Sequence, residues 1–299
     1  MSSTAPLVEN APAKVNLTLR VLRRRADGYH EIESLVAFAE IGDRLSFTPG
    51  GALALTVRGP NAAQAGDDAD NLVLKAARAL AARIPDPRLG AFALDKRLPV
   101  AAGLGGGSAD AAAALRLLAR ANALSADDAR IHEAARATGA DVPVCLDPRP
   151  RVMRGIGDIL SEPLPLPPLP ALLVNPGVAL ATKPVFAGWS PAVAQYDPCD
   201  PAALARMTRR EDLLQFISRQ PNDLEFSAIG LAPVIADVLH ALRGLPGRRL
   251  ARMSGSGATC FALFASAAKA IEAGNILHAK YPDWWVRASA LGGGCVANA

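Results

Sequence analysis

The chain has 299 residues, enough to bury a large core, and this length favours two domains over one. The formal net charge of +4 is small and the arginines are scattered, which gives little support to nucleic-acid binding. No window approaches the roughly 18 apolar residues of a membrane span, and the N-terminal segment MSSTAPLVENAPAK lacks the pattern of a secretory signal. We therefore expect a soluble protein with no membrane association.

The cysteine pattern indicates neither a zinc site nor a disulfide framework. Cys145, Cys199, Cys260 and Cys295 are far apart, form no CxxC pair and have no accompanying histidine cluster. A reducing cytoplasm is the compartment that fits this pattern.

The predicted elements begin with a half-buried strand over KVNLTLRVLR, residues 14–23, where polar and apolar residues alternate with period two. A turn at Ala26-Asp27-Gly28 follows. Further strands are predicted over residues 31–47 and 53–57, with breaks at Gly42-Asp43 and at Pro49-Gly50-Gly51.

The next predicted elements are mostly helical. Asn71 is the expected N-cap of a helix that runs to about residue 83, and a short strand over 92–96 follows it. A glycine-rich segment then opens a helix that ends near Asn122. Ser125, with Asp128 three residues later, predicts the cap of another helix, which Gly139 would end.

The segment PLPLPPLP, residues 163–170, cannot form a helix or a central strand because proline lacks the backbone donor. We place a domain boundary here, between residues 1–162 and residues 163–299. Beyond it the pattern predicts a strand, a helix, two strands around SGSG, a helix and a late strand, over residues 171–175, 232–242, 249–253, 260–264, 267–279 and 284–288. Strands and helices mix without strict βαβ alternation, which predicts an α+β fold.

The glycine-rich segment PVAAGLGGGSADAAAALRLL, residues 99–118, indicates a phosphate site. Glycines let the backbone approach a ligand closely, and the helix that follows favours an anion at its N-terminus. The segment lacks the lysine of a Walker loop, and Ser108 occupies the last glycine position of the dinucleotide fingerprint. A purely structural turn is the alternative.

PVAAGLGGGSADAA resembles the phosphate-binding motif of the GHMP small-molecule kinases, in a form with one extra glycine. APAKVNLTLRVLRRRADGYHEIESL resembles the opening strand and turn of one branch of that family, and RMSGSGATCFALF resembles its C-terminal motif. GADVPV (139–144) and PNDLE (221–225) are also similar to family signatures. The resemblance implies a two-domain α+β kinase with its active site in the interdomain cleft. It implies ATP and Mg²⁺ as cofactors and, as acceptor, a cytidine diphosphate sugar alcohol of the non-mevalonate isoprenoid pathway, phosphorylated on its 2-hydroxyl.

The resemblance assigns the ATP phosphates to the backbone of the glycine-rich loop. Ser108 would add a hydroxyl for phosphate or Mg²⁺, and Asn71 and Lys96 would border the adenine pocket, although capping and surface charge explain those two equally well. Relatives often have a second serine where this chain has Ala109. The expected loop residues are Pro99, Val100, Ala101, Ala102, Gly103, Leu104, Gly105, Gly106, Gly107, Ser108 and Ala109.

Phosphoryl transfer depends mainly on positioning and on charge stabilisation. Asp141 follows Gly139 and precedes Pro143, and the resemblance implies that it takes the proton of the acceptor hydroxyl. Lys14 would bring a positive charge toward Asp141 and the transferred group. The alternatives are a turn or cap aspartate and a solvated lysine.

Tyr29 and His30 lie after a turn, and the resemblance implies that Tyr29 stacks on cytosine while His30 reads the edge of the base. Packed core residues are the alternative. The SGSG turn would lie against the substrate phosphates or shape the ATP loop, unless it is only a tight hairpin. The expected substrate-binding residues are Asn16, Tyr29, His30, Thr182, Phe186, Ser254, Gly255, Ser256 and Gly257.

Two other functions stay open at this point. A family member that acts on another small alcohol would keep the glycine loop and lack the Tyr29-His30 pair. A non-catalytic nucleotide sensor would not need both Lys14 and Asp141. We expect a small-molecule substrate, no nucleic-acid partner, and a monomer or weak homodimer.

Overall fold

The computed structural model describes residues 5–65, 71–191 and 196–292. The chain forms two compact units whose stretches interleave along the sequence. Unit 1 consists of Met1–Ala13, Ile41–Val100 and Gly105–Asp147, and unit 2 consists of Lys14–Glu40, Ala101–Leu104 and Pro148–Ala299. The predicted domain boundary between residues 1–162 and residues 163–299 stays a prediction.

The described residues form an α+β fold, as predicted. The strands are β1 (Leu7–Asn16), β2 (Arg20–Arg24), β3 (His30–Pro49), β4 (Ala54–Arg58), β5 (Gly90–Asp95), β6 (Arg151–Gly155), β7 (Ile159–Leu160), β8 (Leu169–Asn175), β9 (Arg248–Met253), β10 (Cys260–Phe264) and β11 (Trp285–Leu291). The helices are α1 (Leu72–Ala81), α2 (Gly106–Ala121), α3 (Ala129–Thr138), α4 (Val142–Leu146), α5 (Thr182–Ala187), α6 (Pro201–Ala205), α7 (Arg210–Ser218), α8 (Glu225–Leu231), α9 (Val234–Arg243) and α10 (Ala267–Lys280).

In unit 1, β5 pairs antiparallel with the C-terminal part of β3 and parallel with β4. Phe47 and Phe92 are opposite each other in the β3–β5 register, and their ring centroids lie 4.6 Å apart. Such cross-strand aromatic pairs stabilise a sheet. Except for Ala121 at its end, the alanines of α2 are almost fully buried, because small side chains let α1, α3 and α4 approach that helix.

In unit 2, β9, β10, β8 and β11 form an antiparallel array in that order. The N-terminal part of β3 pairs with β2 and β6, and Ala39 is in register with Leu291 of β11. Helices α9 and α10 pack on the array and contribute buried apolar side chains such as Ile235, Val238 and Leu277 to its core.

The prediction of one half-buried strand over residues 14–23 is wrong. The segment divides into the end of β1 and β2, because Leu19 leaves the ladder and donates from its N–H to the carbonyl of Pro221. Up to Leu19 both faces are also buried, since Lys14 is 4% exposed and Thr18 is fully buried, whereas Leu22 and Arg23 are exposed. Hydrogen bonds between polar side chains, described below, make this burial possible.

The break predicted at Gly42-Asp43 is also wrong, because β3 continues through both residues. A Cβ atom on Gly42 would lie 2.3 Å from the carbonyl oxygen of Ala11, so glycine here permits a close approach of two backbones. Asp43 is buried as part of an ion cluster. The residues that usually mark turns therefore serve tertiary contacts at this position.

Two local predictions need smaller corrections. Helix α3 is capped by Asp128, whose side chain accepts from the N–H of Arg130, and not by Ser125. Strand β8 begins at Leu169, so Pro170 lies inside a strand. Pro170 is tolerated there because the pairing with β10 stops at Ala171 and only β11 continues alongside.

The other predicted elements are confirmed to within a few residues, including α1, α2, α9, α10 and the strands β5 and β8 to β11. Elements without a sequence prediction are β6, β7 and α4 to α8, all of them nine residues or shorter. Among the helices of the described residues, none has the length and apolar character needed to span a bilayer.

Candidate active site

The glycine-rich segment enters helix α2 through left-handed backbone. Ala101, Gly103 and Gly105 have φ values of 50°, 73° and 60°, and Gly105 is the N-cap of α2. The first N–H groups of a helix have no partner inside it, and Gly106 and Gly107 place no side chain over them. The start of α2 therefore has the geometry of an anion site.

Part of the same segment is explained by packing within unit 2. A Cβ atom on Gly103 would lie 2.4 Å from the carbonyl oxygen of Ser254, so only glycine fits against the SGSG turn. The carbonyls of Ala101, Ala102 and Leu104 accept hydrogen bonds from the N–H groups of Leu180, Thr259 and Lys14. The backbone of residues 101–104 is therefore used for packing and hydrogen bonds, as the alternative of a structural turn predicts.

A buried ion cluster lies beneath the start of α2 in unit 1. Lys96 Nζ is 2.6 Å from Asp43 Oδ2 and 2.6 Å from Asp110 Oδ2, and all three side chains are nearly inaccessible. A Cβ atom on Gly106 would lie 3.3 Å from Lys96 Nζ. Lys96 is therefore not the surface charge that the sequence allowed, and its contact with adenine stays a prediction that this burial disfavours.

The two carboxylates of this cluster are held differently. Asp43 accepts from Lys96 and from the N–H groups of Arg97 and Leu98, whereas Asp110 Oδ1 has no hydrogen-bond partner in the described parts of the chain. Burial raises the pKa of Asp110 to about 7, against the opposing charge of Lys96. Burial by itself lowers the pKa of Lys96, but the charges of Asp110 and Asp43 outweigh it and raise the value. The carboxyl group of Asp110 therefore gains and loses its proton near neutral pH.

Asn71 acts as the N-cap of α1, because its side chain accepts from the N–H of Val73 at 3.0 Å. The capping alternative is thus confirmed. A contact between Asn71 and adenine stays a prediction.

Asp141 occupies the N-cap position of α4, with Pro143 in the first turn of that helix. Within the described helix its side chain makes no capping hydrogen bond, and the residue is half-buried. Asp141 therefore does not cap α4 through its side chain. Its role as the base that accepts the proton of the acceptor hydroxyl stays a prediction.

Lys14 and Asn16 lie two residues apart on β1, so their side chains share one face of the strand. Lys14 Nζ donates to Asn16 Oδ1 at 3.1 Å, and Asn16 Nδ2 donates to the hydroxyl of Ser34 at 2.8 Å. The backbone N–H of Asn16 donates to Ser254 Oγ, which in turn donates to the carbonyl of Gly103. Unit 2 thus joins three of the predicted site segments in one hydrogen-bonded network.

The predicted base-recognition residues lie together in unit 2. The ring centroid of His30 is 5.2 Å from that of Phe186 and 5.7 Å from that of Trp189, which meets it edge-on, while Tyr29 is 59% exposed. A cavity of about 320 Å³, partly lined by His30, Trp189 and Arg24, adjoins the rings. Burial and the positive charge of Arg24 lower the pKa of His30, so a neutral imidazole offers one donor and one acceptor.

The SGSG turn connects β9 to β10 and has left-handed φ values at Gly255 and Gly257. The segment therefore forms a hairpin turn, as the structural alternative predicts. The hydroxyls of Ser256 and Thr182 lie 3.1 Å apart. Asn222, from the PNDLE segment, donates to the carbonyls of Met253 and Gly255 and so holds the turn.

Five residues near these groups have no assigned role in the sequence analysis: Asp43, Asp110, Ser34, Trp189 and Asn222. Four of them lie in segments that the sequence analysis interprets in other ways. Asp110 belongs to the glycine-rich segment, Ser34 is the penultimate residue of the N-terminal motif, Asn222 belongs to PNDLE, and Asp43 is part of the predicted strand break. The interactions of these side chains become apparent only when the fold brings their partners next to them.

Comparison with known proteins gives consistent results. Two protein-family profiles match, GHMP kinases N terminal domain over residues 71–147 and GHMP kinases C terminal over residues 202–283. A 4-diphosphocytidyl-2-C-methyl-D-erythritol kinase of Rhodopseudomonas palustris (strain HaA2) is 55% identical over 300 residues, covering 96% of this chain and 99% of the relative.

Solved structures agree with these relatives. A crystal structure of 4-(cytidine 5'-diphospho)-2C-methyl-D-erythritol kinase superposes with a TM-score of 0.78 at 36% identity, covering 96% of this chain and all of that one. A homoserine kinase from Cytophaga hutchinsonii superposes with a TM-score of 0.73 at 20% identity, covering 98% of each chain. At that identity the likeness concerns the fold alone.

Proposed function

Because the chain belongs to the GHMP kinases and, within them, to the 4-diphosphocytidyl-2-C-methyl-D-erythritol kinases, we propose that it transfers the γ-phosphoryl group of ATP to the 2-hydroxyl of 4-diphosphocytidyl-2-C-methyl-D-erythritol. This reaction supplies the non-mevalonate isoprenoid precursor pathway. The observation that carries the proposal is the 55% identity over nearly the full length of both proteins.

In this proposal the start of α2 binds the ATP phosphates. The backbone N–H groups of Gly106, Gly107 and Ser108 donate to phosphate oxygens, and the helix dipole adds to the attraction. Gly105 in the left-handed conformation directs the chain into the helix. Residues 99–104 and Ala109 shape the loop, and Asn71 borders the adenine pocket, whereas the burial of Lys96 between Asp43 and Asp110 disfavours that role for Lys96.

Mg²⁺ is part of the same proposal. Across residues 5–65, 71–191 and 196–292, no group of three or more His, Cys, Asp or Glu side chains could hold a metal ion. Magnesium in kinases is bound by a few protein oxygens together with the substrate phosphates, so a sparse donor set fits it. The hydroxyl of Ser108 would hold the ion, which would neutralise charge on the phosphates when bound.

Asp141 and Lys14 carry the chemistry on the protein side. Asp141 accepts the proton of the acceptor hydroxyl as the oxygen attacks, which is the usual part of a carboxylate base. Lys14 stabilises the negative charge of the transferred group. The family resemblance of the GADVPV segment supports the first role, and the hydrogen bond from Lys14 Nζ to Asn16 Oδ1 supports the second.

Recognition of cytosine rests on the rings of unit 2. Tyr29, which is exposed, stacks on one face of the base and Phe186 on the other, while the neutral imidazole of His30 hydrogen-bonds to its edge. Asn16, Thr182 and the SGSG turn contact the remainder of the substrate. The cavity of about 320 Å³ has the size of a small-ligand pocket and supports the contact of the base with His30 only, because Tyr29 and Phe186 are not among the described residues that line it.

Three further properties belong to the proposal: a cytoplasmic location, a monomer or weak homodimer, and no nucleic-acid partner. The separated cysteines support the first property and the small net charge supports the third.

A coupled assay of ADP release tests the function. The cytidyl substrate is offered in parallel with homoserine, mevalonate and galactose, and we expect ADP release with the cytidyl substrate alone. Release with one of the other alcohols only would contradict the substrate assignment. Tight ATP binding without ADP release from any acceptor would favour the nucleotide sensor.

A further inference from the structure

Ser34 is a fully buried polar residue of β3 that lies beside the predicted catalytic segment. Its hydroxyl is 2.5 Å from the carbonyl oxygen of Thr18 and 2.8 Å from Asn16 Nδ2. All three residues belong to unit 2. The hydroxyl therefore stands between a main-chain acceptor and the side-chain amide that contacts Lys14.

The chemistry of these groups allows one direction for the hydrogen bonds. The carbonyl of Thr18 only accepts, so the single proton of the Ser34 hydroxyl points to it. The oxygen of Ser34 must then accept from Asn16, which directs the amide nitrogen toward Ser34 and the amide oxygen toward Lys14. The ammonium of Lys14 only donates, so it requires the same orientation from the other side.

From this chain of bonds we propose that Ser34 is a positioning residue for phosphoryl transfer: it holds the amide of Asn16 in the orientation that directs the ammonium of Lys14. The inference rests on the proposed function, since it takes Lys14 to stabilise the transferred phosphoryl group.

The main chain of Asn16 is held in place, so its side-chain amide is the group that can change orientation. The backbone N–H of Asn16 is tied to Ser254 Oγ, which holds the main chain. A Cβ atom on Gly255 would lie 3.3 Å from Asn16 Oδ1, so the SGSG turn bounds the space around the amide. Without the acceptor on Ser34, the amide nitrogen has to find another partner, and any rotation that achieves this displaces the oxygen from Lys14.

The test compares Ser34→Ala with Ser46→Ala, a matched control on the same strand. The hydroxyl of Ser46 donates to the carbonyl of Ala93 within unit 1, whereas Lys14 belongs to unit 2. We expect Ser34→Ala to lower kcat by about tenfold to a hundredfold, the scale of an ångström-sized misplacement, with both KM values within about twofold of wild type. Ser46→Ala should match wild type in kcat and in both KM values.

A double-mutant cycle separates positioning from general loss of stability. If Ser34 acts through Asn16, the loss in kcat caused by Ser34→Ala disappears in an Asn16→Ala background, whereas a structural defect persists there. Thermal melts of every variant check that the proteins compared are folded. Should Ser34→Ala fail to fold, Ser34→Cys keeps the shape of the side chain with a larger atom that is a weaker acceptor, and the same cycle is carried out with it.

The outcomes are distinct. A folded Ser34 variant with wild-type kcat would overturn the inference, as would a loss in kcat that adds in full to that of Asn16→Ala, or a loss confined to KM. If the wild-type protein releases no ADP with the cytidyl substrate, the proposed function is refuted and this inference is refuted with it. An active wild type with an unaffected Ser34 variant refutes only the inference.

Discussion

Replacing Asp110 by asparagine should change how the stability of the protein depends on pH. Asp110 is buried with Lys96 and Asp43, so the ionised cluster holds two carboxylates and one ammonium. Burial raises the pKa of Asp110 from an ordinary value of 3.8 to about 7. Asparagine has the same shape and cannot ionise, so it resembles the protonated form of Asp110.

The sign follows from the raised pKa. The folded state binds the proton more tightly than the unfolded chain, so this contribution to stability is complete below about pH 4 and is lost as the pH rises through 7. The pKa difference of about 3 units corresponds to at most about 4 kcal/mol, at about 1.4 kcal/mol for each unit. Asp110→Asn should remove this loss and therefore gain stability relative to wild type between pH 5 and pH 8.

Thermal unfolding of wild type and Asp110→Asn at pH 5 and at pH 8 measures this difference in stability. For a domain of about 150–250 residues, 1 kcal/mol moves Tm by about 2–4 °C, which is easily resolved. Asp237→Asn is the control, because Asp237 is exposed on α9 and faces solvent. Parallel Tm profiles for wild type and Asp110→Asn would refute the reasoning, since they would mean that Asp110 does not hold a proton in the folded state.

Three further predictions test other groups. Lys96→Met removes the only cation described in the cluster and should lower the free energy of unfolding by roughly 3–5 kcal/mol in urea titrations, because the buried carboxyl groups of Asp43 and Asp110 lose their cationic partner; wild-type stability would contradict the ion-cluster description. Asp141→Asn should reduce kcat by roughly 10²–10⁴ with an unchanged KM for ATP, as expected on loss of a general base, and near-normal turnover would remove Asp141 from the mechanism. Tyr29→Leu should weaken calorimetric binding of the cytidyl substrate by about 1–3 kcal/mol while ATP affinity is unchanged; equal binding of the substrate would show that Tyr29 does not stack on the base.

Local signals in the sequence were enough to determine much of the fold. The helices α9 and α10 and the strands β9 and β10 were predicted from periodicity, and Asn71 was predicted as a cap, because capping and side-chain periodicity involve residues only a few positions apart. The α+β class and the glycine-rich entry into α2 follow from the same kind of signal. Motif resemblance then indicated the family, which the relatives confirm.

Tertiary structure alone decided what the ambiguous polar and glycine residues do. Gly42 carries the signature of a turn, yet it lies inside β3 because a second backbone passes over it. Lys96 carries the signature of a surface charge, yet it is buried between Asp43 and Asp110, which are 53 and 14 positions away in the chain. Ser34 has no distinctive signature at all. A side chain's role depends on the partners that folding brings to it, and those partners are too distant in sequence for a local pattern to encode.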